Sequence, residues 1–329
     1  MQRSARIMGL GSAAPAKVLT NADLESMVDT TDQWILEHTG IRERHICQDG
    51  ETTSTLCLTA AQQAVERAGI GPEDLGMVIC ATLTPDFRGF PAVASLVQDG
   101  LGATNAGAFD LAAGCTGFVY ALTVGAQFVA TGAYDHVLVL GSDVLSKITD
   151  WTDRASCVLF GDAAGAAVLG PTENGRGYLG HVLASDGSLG DLLCIPVGGS
   201  RTPPTPENLK TRKHFIQMEG HEVFKQAVRR LPDMVTRVCD HVGIGVEDID
   251  YLIPHQANQR IMDAAIKRLK IAPEKVLGNL EQYGNTSNGS IPLLMDEADR
   301  AGLFEEDDLL VLVGFGAGFT VGGVALRWG

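Results

Sequence analysis

The sequence predicts an α/β protein built from two duplicated halves that are related by a pseudo-twofold axis. Three features support this prediction: a helix–turn–strand pattern that occurs twice, apolar runs typical of strands buried on both faces, and a composition rich in small residues. Glycine accounts for 39 of the 329 residues, while aromatic residues make up only 6%. Such a composition suits layers that pack closely through small side chains and loops that need unusual backbone angles.

The repeated pattern contains two similar turns. Residues 68–74 read AGIGPED and lead into the apolar run 77–80, and residues 242–248 read VGIGVED and lead into the run 251–253. The offset between the two copies is 174 residues. Each turn follows a segment with helical periodicity, over residues 58–67 and 223–241. Each half therefore contains a helix, a turn and a buried strand in the same order.

A second pair of segments has nearly the same spacing. Residues 135–141 and 308–314 are both continuous apolar runs of the kind expected for fully buried strands. We therefore divide the chain into an N-terminal half, residues 1–172, and a C-terminal half, residues 173–329. The offset places Cys115 opposite Gly289, each just before a predicted helix. Two helix N-termini would then meet at the centre, where they favour an anionic intermediate.

Composition and charge exclude several classes of protein. The formal net charge of −15 argues against general binding to nucleic acid through a basic surface. Seven cysteines with no CxxC pair indicate neither a disulfide framework nor a zinc site, so we expect no metal. The N-terminus lacks the apolar stretch of a signal peptide, and no apolar run approaches the ~18 residues that a membrane helix needs. We expect a soluble cytoplasmic protein with no membrane contact.

Cys115 is the predicted nucleophile. It lies in the segment FDLAAGCTG, residues 109–117, where a strand end runs into a helix that starts near Thr116. Unpaired N–H groups and the positive end of the helix dipole are expected to lower the pKa of a thiol at this position. A buried structural cysteine at a tight turn is the alternative interpretation, and the two residues that accompany Cys115 argue against it.

His255 and Asn285 are the predicted partners of Cys115. His255 follows a buried strand, and Pro254 stiffens the strand exit so that the imidazole projects from the strand end. Asn285 lies in a Gly-rich loop before Thr286 and Ser287. Taken singly, the histidine is equally typical of a capping or core residue and the asparagine of an Asx turn or helix cap. Together with Cys115 they indicate a catalytic set.

A glycine-rich loop forms the last element of the predicted site. Residues 314–320, GFGAGFT, follow the last long apolar strand. Few side chains block the approach to such a loop, so its backbone N–H groups can contact a ligand closely. A flexible hairpin is the alternative, but the repeat places this loop at the centre of the molecule.

These residues resemble the β-ketoacyl-acyl carrier protein synthase III family, whose members have the thiolase fold. The resemblance runs nearly end to end and rests on the Cys115 turn, WILEHTGIRER (34–44), FGDAAGAA (160–167), PHQAN (254–258), GNTS (284–287) and the final glycine-rich loop. A Cys/His/His set would have indicated the elongating synthases, whereas the third member here is Asn285. The resemblance implies a thiolase-like fold in which two duplicated halves pack as αβαβα layers.

The resemblance also implies a reaction. A short acyl group, acetyl or another, moves from coenzyme A to Cys115, and malonyl-acyl carrier protein then enters. His255 and Asn285 stabilise the enolate that forms as carbon dioxide leaves, and this enolate attacks the acyl-Cys. The oxyanion is held by backbone N–H groups of Cys115 and of either Gly316 or Ala317. Decarboxylation supplies the driving force, so no cofactor is implied beyond the coenzyme A thioester that serves as substrate.

Further site residues carry over from the family. Coenzyme A is expected to bind at Trp34, Arg154, His221 and Asn258, with the adenine between the Trp34 ring and the Arg154 guanidinium. Two positions depart from the family pattern: His38 stands where an arginine is usual, and His221 where an asparagine often contacts the coenzyme. The acyl pocket is expected to contain Phe90, Phe160 and Met218. Phe90 matches a residue that closes the pocket of the neighbouring subunit, which implies a homodimer.

The acyl carrier protein is acidic, so an acidic enzyme needs a local basic surface to bind it. Arg260, Lys267 and Arg268 follow the catalytic histidine on one predicted helix, with spacings that bring them near one face. The docking residues implied by the resemblance are Lys225, Gln256, Ala257, Asn258, Gln259, Arg260, Lys267 and Arg268. An ordinary solvated helix face is the alternative for each cation.

Other functions fit the sequence less well. Within the fold, a condensing enzyme of a specialised pathway with another acyl donor or acceptor stays open, and hydroxymethylglutaryl-CoA synthase lacks an identifiable further catalytic acid. The Gly9–Gly11 segment weakly suggests dinucleotide binding, but no third glycine follows and Pro15 breaks the helix start. A non-catalytic scaffold would not be expected to keep the Cys/His/Asn set. The sequence leaves the preferred acyl group open.

Overall fold

Two β-sheets and the helices on their faces organise the molecule, and the computed structural model describes residues 3–173 and 175–329. The strands are β1 Ser4–Ala13, β2 Val18–Thr20, β3 Glu43–His45, β4 Met77–Ala81, β5 Gly107–Leu111, β6 Val137–Val144, β7 Asp162–Thr172, β8 Gly177–Ser185, β9 Leu193–Cys194, β10 Gln217–Met218, β11 Tyr251–Pro254, β12 Leu309–Gly316 and β13 Thr320–Arg327. The helices are α1 Asn21–Glu25, α2 Asp32–Thr39, α3 Thr53–Ala68, α4 Val93–Leu101, α5 Gly117–Ala130, α6 Arg154–Cys157, α7 Pro206–Leu209, α8 Gly220–Val242, α9 Gln259–Leu269, α10 Leu280–Tyr283 and α11 Ser290–Arg300.

The two main sheets repeat one arrangement of strands. The first has the order β1-β7-β6-β4-β5 and the second the order β8-β13-β12-β11. In each sheet a pair of adjacent strands runs parallel, β4 with β6 and β11 with β12, and the next two strands are antiparallel to their neighbours. β4 and β11 begin at Met77 and Tyr251, the offset of 174 residues that the sequence predicted. The proposed boundary at residues 172/173 lies between the strands of the two sheets.

The helices form three layers around these sheets. α5 and α11 lie between the sheets, because one buried cluster joins their apolar residues to the inner faces of both. α3 and α4 cover the outer face of the first sheet, and α8 and α9 cover the outer face of the second. The predicted layered αβαβα architecture is therefore confirmed.

The sequence of α5 explains its central position. The helix reads GFVYALTVGAQFVA and is buried along most of its length, as expected for a helix that is apolar all round. Gly125 allows close contact with the first sheet, since a Cβ there would lie 2.8 Å from a methyl carbon of Val139. The fully buried Asp296 of α11 is compensated by ion pairs with Arg67 and Arg300 and by the Ser12 hydroxyl. α11 is thereby tied to β1 and α3 of the other half.

The edge strand β5 fixes the segment that carries Phe90. The carboxylate of Asp110 on β5 accepts hydrogen bonds from the backbone N–H groups of Val93 and Ala94, both at 2.8 Å. It therefore caps α4, whose own preceding residue, Ala92, has no side chain able to do so. Phe90, just before this helix, is 86% exposed.

Within the described chain, no helix combines the length and apolar character needed to cross a bilayer.

Candidate active site

Cys115 lies in the turn between β5 and α5, as predicted, and Thr116 is the N-cap residue of α5. Gly114 makes the turn possible, because its φ of +57° belongs to the left-handed region and a Cβ would lie 2.4 Å from the carbonyl oxygen of Ala317. The turn thus packs directly against the hairpin between β12 and β13. Cys115 itself is half-buried.

The electrostatics of Cys115 differ from the sequence prediction. Burial raises the pKa of the Cys115 thiol to about 11. The Ser287 hydroxyl and the backbone N–H groups of Ala317 and of Cys115 itself act to lower this pKa, while the carboxylate of Asp143 raises it. The predicted lowering of the pKa is therefore wrong for the unliganded site, because desolvation outweighs the nearby donors.

His255 is held at the end of β11 by its backbone and by one ring nitrogen. Its backbone N–H donates to the carbonyl of Val313 at 2.8 Å, and Nδ1 lies 2.8 Å from the hydroxyl oxygen of Ser290. The ring is 1% exposed and meets the Phe315 ring edge-on at 5.5 Å. Burial lowers the pKa of His255 to about 3, so the imidazole is neutral at physiological pH.

Asn285 is fixed by its backbone on one side and by an Asx turn on the other. Its N–H donates to Leu159 O at 2.8 Å, and its carbonyl accepts from Gly161 N at 3.0 Å. The side-chain Oδ1 accepts from the backbone N–H of Ser287 at 2.9 Å. With Oδ1 occupied, the Nδ2 group is the end of the amide left to donate to a ligand. The Asx turn considered as an alternative is therefore present, and it orients the amide.

The glycine-rich hairpin contacts Cys115 through its backbone. A Cβ at Gly316 would lie 2.3 Å from the backbone nitrogen of Cys115, so only glycine fits here. The hydroxyl of Thr320 donates to Ala113 O at 2.8 Å and holds the hairpin against the turn. Gly316 ends β12 and pairs with Thr320. The N–H of Ala317, which acts on the thiol, belongs to the connecting turn.

Cys115 lies where two cavities meet. The first, about 210 Å³, contains His255, Asn285 and Gly316 and is otherwise mostly apolar. The second, about 260 Å³, is lined by Leu83, Leu145, Ile148, Ile195 and Ile216, together with Ser287 and Ala317. Phe160 and Leu193 line both cavities. The structure therefore brings the three predicted catalytic residues to one cavity and adds an apolar space beyond the thiol.

Asp143 and Asn288 connect the two halves of the site, and the sequence reasoning missed both. The buried Asp143 carboxylate accepts from Leu83 N at 2.6 Å and from Asn288 Nδ2 at 2.8 Å. Asn288 Oδ1 in turn accepts from Phe118 N at 3.2 Å. Asn288 thereby caps the first turn of α5, whose own N-cap residue, Thr116, makes no side-chain capping hydrogen bond. The repeat offset, which placed Cys115 opposite Gly289, was the one signal that pointed to this turn.

Ser287 and Ser290 were also missed. Ser287 adopts a φ of +50°, in the left-handed region, and its buried hydroxyl acts on the Cys115 thiol and the Asp143 carboxylate, although among residues 3–173 and 175–329 it has no partner in full hydrogen-bond geometry. Ser290, the first residue of α11, contacts His255. Ser287 ends the GNTS motif and Ser290 follows it, in a segment where a sequence alone does not separate helix capping from contact with a catalytic group.

Of the residues expected to bind coenzyme A, Asn258 lines the first cavity and Trp34, Arg154 and His221 do not. The Arg154 guanidinium lies 4.0 Å from the centroid of the Trp34 ring, and His38 stacks on the same ring at 4.4 Å. Both amide ends of Asn258 are used, since Oδ1 accepts from Arg260 N and Nδ2 donates to His38 O. The side chain of His221 is 91% exposed. Asn258 thus caps α9 and binds the last turn of α2 as well as lining the first cavity.

Gln256 does not fit the predicted set of docking residues, because it is not at the surface. The side chain is fully buried. Its Nε2 group donates to Pro254 O at 2.8 Å, and its Oε1 accepts from Asn279 N at 3.2 Å. Gln256 therefore supports the loop and is not available to a partner. Ala257 is half-buried in the first cavity. The exposed members of the predicted set are Lys225, Gln259, Arg260, Lys267 and Arg268. Arg268 also donates to Arg229 O and joins α9 to α8.

The predicted acyl-pocket residues lie in different places. Phe160 separates the two cavities, whereas Met218 lines the first cavity, with His255, and not the apolar one. Phe90 lines neither cavity of its own chain. Over the described ranges, no group of three or more His, Cys, Asp or Glu side chains is placed to hold a metal ion.

Two family models match parts of this chain. Residues 109–187 match the family described as 3-Oxoacyl-[acyl-carrier-protein (ACP)] synthase III, and residues 239–328 match its C-terminal region. The Beta-ketoacyl-[acyl-carrier-protein] synthase III of Desulfitobacterium hafniense is 53% identical over 99% of this chain and 98% of its own length. That of Symbiobacterium thermophilum is 52% identical over 99% of both chains.

Solved structures agree with the sequence matches. The crystal structure of the Aquifex aeolicus 3-oxoacyl-[acyl-carrier-protein] synthase III is similar with a TM-score of 0.91 and 41% identity, covering 98% of this chain and 100% of the other. A priming β-ketosynthase from the R1128 polyketide pathway has a TM-score of 0.93 at 32% identity, covering 99% and 97%. By fold, motifs and end-to-end identity, the chain belongs to the 3-oxoacyl-[acyl-carrier-protein] synthase III family.

Proposed function

We propose that the chain initiates fatty-acid synthesis as a 3-oxoacyl-acyl carrier protein synthase III and that Cys115 carries the acyl group between two half-reactions. The observation that carries this proposal is the position of Cys115 at the junction of two cavities, one apolar and one containing His255 and Asn285. An acyl chain on the sulfur fits the apolar cavity. The second thioester then meets the acyl-Cys from the side where neutral hydrogen-bond donors lie.

In the first half-reaction the Cys115 sulfur attacks the acyl thioester of coenzyme A. The sulfur–carbonyl bond to the coenzyme breaks, the coenzyme leaves as a thiol with the proton that Cys115 gives up, and an acyl-Cys forms. The backbone N–H groups of Cys115 and Ala317 both act on the sulfur already in the free site. We therefore favour Ala317 over Gly316 as the second donor to the oxyanion.

In the second half-reaction the malonyl group on the carrier protein loses carbon dioxide. The electrons of the broken carbon–carbon bond form an enolate, whose oxygen accepts hydrogen bonds from His255 Nε2 and Asn285 Nδ2. The enolate carbon attacks the acyl-Cys, and Cys115 leaves as a thiolate that takes up a proton. Both donors are neutral groups with fixed orientation, which suits stabilisation of charge that develops only during the reaction. The chemistry balances without a metal or redox cofactor.

Binding of the two thioesters involves the residues around the first cavity. The stacked pair Trp34 and Arg154 supports an adenine site at the entrance, with Arg154 moving off the ring to admit the base. The exposed cations Lys225, Arg260 and Lys267 support a carrier-protein surface on α8 and α9.

The strongly exposed Phe90 supports a homodimer in which it reaches the partner. All seven cysteines are free thiols, in keeping with a cytoplasmic location.

The test is intact-protein mass spectrometry after mixing with acetyl-, isobutyryl- or hexanoyl-CoA. One acyl group should add to Cys115, located by peptide mapping, and malonyl-acyl carrier protein should discharge it as a 3-oxoacyl product. Cys115→Ala should take up none. Cys194→Ala is the matched control, because Cys194 lines the same apolar cavity and should be dispensable for labelling. No adduct with any of the three donors, or an adduct that malonyl-carrier protein does not discharge, contradicts the proposal.

A further inference from the structure

The proposed chemistry requires one particular nitrogen of His255 to carry the proton. The ring is neutral because burial lowers its pKa to about 3, so one nitrogen has hydrogen and the other has a lone pair. Stabilising an enolate oxygen from the first cavity needs hydrogen on Nε2, because Nδ1 is already turned towards Ser290. A ring with hydrogen on Nδ1 would instead present a lone pair to the enolate and repel it.

Ser290 is the group that contacts the other nitrogen. Its hydroxyl oxygen lies 2.8 Å from His255 Nδ1 and also 2.8 Å from the carbonyl oxygen of Ser287. Its hydroxyl hydrogen can therefore point to either atom. If it points to Ser287 O, Nδ1 must carry hydrogen; if it points to Nδ1, the hydrogen of His255 must be on Nε2.

The backbone around Ser290 favours the second arrangement. The N–H of Ser290 already donates to Ser287 O as the end of the short 3₁₀ turn Ser287–Gly289. This carbonyl is therefore satisfied without the hydroxyl, and no buried acceptor is left unpaired when the hydroxyl turns to His255. Ser290 is 1% exposed, so water does not compete for its hydrogen.

We propose that Ser290 is a positioning residue that donates its hydroxyl hydrogen to His255 Nδ1 and thereby keeps hydrogen on Nε2 for the decarboxylation step. The inference rests on the proposed function of His255 and adds the residue that sets its tautomer. Loading of Cys115 from acyl-CoA does not use this donor, so Ser290 acts on one half-reaction only.

The direct test is nitrogen NMR of the full chain with ¹⁵N-labelled histidine. The protein has eight histidines, and His255→Gln identifies the signals of His255 by difference. The wild type should show hydrogen on Nε2 and a hydrogen-bonded lone pair on Nδ1, and Ser290→Ala should lose this preference. Hydrogen on Nδ1 in the wild type overturns the proposal, whatever the activity of the enzyme.

The kinetic test separates the half-reactions. In Ser290→Ala, acylation by acetyl-CoA should stay within about twofold of wild type, whereas carbon dioxide release from malonyl-carrier protein by pre-acylated enzyme should fall about 10- to 100-fold, as for other residues that orient a functional histidine. Ser290→Thr keeps the hydroxyl and should restore the tautomer even if crowding slows the enzyme. Equal loss in both half-reactions with an unchanged tautomer overturns the proposal.

A matched control distinguishes this role from general stability. Ser142 is fully buried, and its hydroxyl donates to Ala163 O at 3.0 Å without contacting His255. Ser142→Ala removes a buried hydroxyl of the same kind and should leave the His255 signals and the ratio of the two half-reactions unchanged. A change in that ratio as large as in Ser290→Ala would mean that the effect is not specific to His255. Absence of acylation in the wild type would instead refute the proposed function, while the NMR result would still stand.

Discussion

The turns before α5 and α11 occupy equivalent places in the two halves but contribute differently to the site. The turn before α5 supplies Cys115, has a glycine at its sharpest point and lacks a side-chain cap. The turn before α11 supplies Asn285 and Asn288, the first residue of α11 is Ser290, and these three side chains are engaged in hydrogen bonds. Two helix N-termini therefore lie at one centre, with the proposed nucleophile at one and a framework of hydrogen bonds at the other.

The largest expected effect comes from a substitution in the turn before α11 that leaves the turn of Cys115 unchanged. Asn285→Ala removes the proposed donor to the enolate, so condensation by acetylated enzyme should fall roughly 10²- to 10³-fold, as for loss of one oxyanion donor. Cys115 acylation should stay within about twofold, since the thiol turn is unchanged. Single-turnover measurements on pre-acetylated and free enzyme give the two rates. If acylation falls as much as condensation, the two turns do not divide the reaction as described.

The reactivity of the thiol turn should depend strongly on pH. Because burial raises the pKa of Cys115 to about 11, the thiolate fraction should rise about tenfold per unit between pH 7 and 9, with no plateau. Alkylation by iodoacetamide, followed on the Cys115 peptide, reports this directly, and Asn285→Ala should give the same profile. A plateau near pH 7 would show that the helix N-terminus outweighs burial after all.

Asn288 should affect both turns, because it caps α5 and bonds Asp143. Asn288→Ala leaves Phe118 N and the buried Asp143 each without one partner, so unfolding should require about 1–3 kcal/mol less free energy. Both half-reactions should slow together. Denaturant unfolding gives the stability, with Asn105→Ala, which loses only an exposed hydrogen bond to Glu73 O, as control. An unchanged midpoint in Asn288→Ala would mean that the two turns are stabilised independently.

The smallest effect concerns the exposed cations of α9. Arg260→Glu should raise the KM for malonyl-carrier protein several-fold, in the range of about 1 kcal/mol for an exposed charge, and spare acylation from acetyl-CoA. Lys17→Glu makes the same change in net charge at an exposed loop between β1 and β2 and should have little effect. Equal responses of the two variants would assign the effect to total charge.

The parts of the site that depend on local sequence were predictable, and those that depend on packing were not. The repeat and the glycine-rich turns placed Cys115 and His255 at strand ends and Asn285 in a loop before a helix, because chain direction and turn chemistry are local properties. The burial of Gln256 was missed because Asn279, which donates to its side-chain oxygen, lies 23 residues further along the chain and meets Gln256 only in the fold. The raised pKa of Cys115 has the same origin, since desolvation depends on the whole surrounding structure.

The role of Asp143 is the clearest example of a feature that no single segment of the sequence predicts. Its carboxylate joins the loop after β4, the end of β6 and the turn before α11, so its role requires three distant stretches of chain at once. From the sequence, Asp143 is only an aspartate at the end of an apolar run. The same holds for Asn288, whose amide reaches the first turn of a helix 170 residues away along the chain.

The meeting of two cavities at one sulfur has a kinetic consequence. Under the proposed chemistry both substrates reach Cys115 through the cavity of His255, so the coenzyme must depart before the carrier-bound malonyl group can enter. Plots of the reciprocal initial rate against the reciprocal concentration of one substrate, at several concentrations of the other, should then give parallel lines. This is the pattern of a double-displacement enzyme. Each substrate in excess should inhibit by occupying the wrong form of the enzyme, so the flux depends on the ratio of the two thioesters as well as on their amounts.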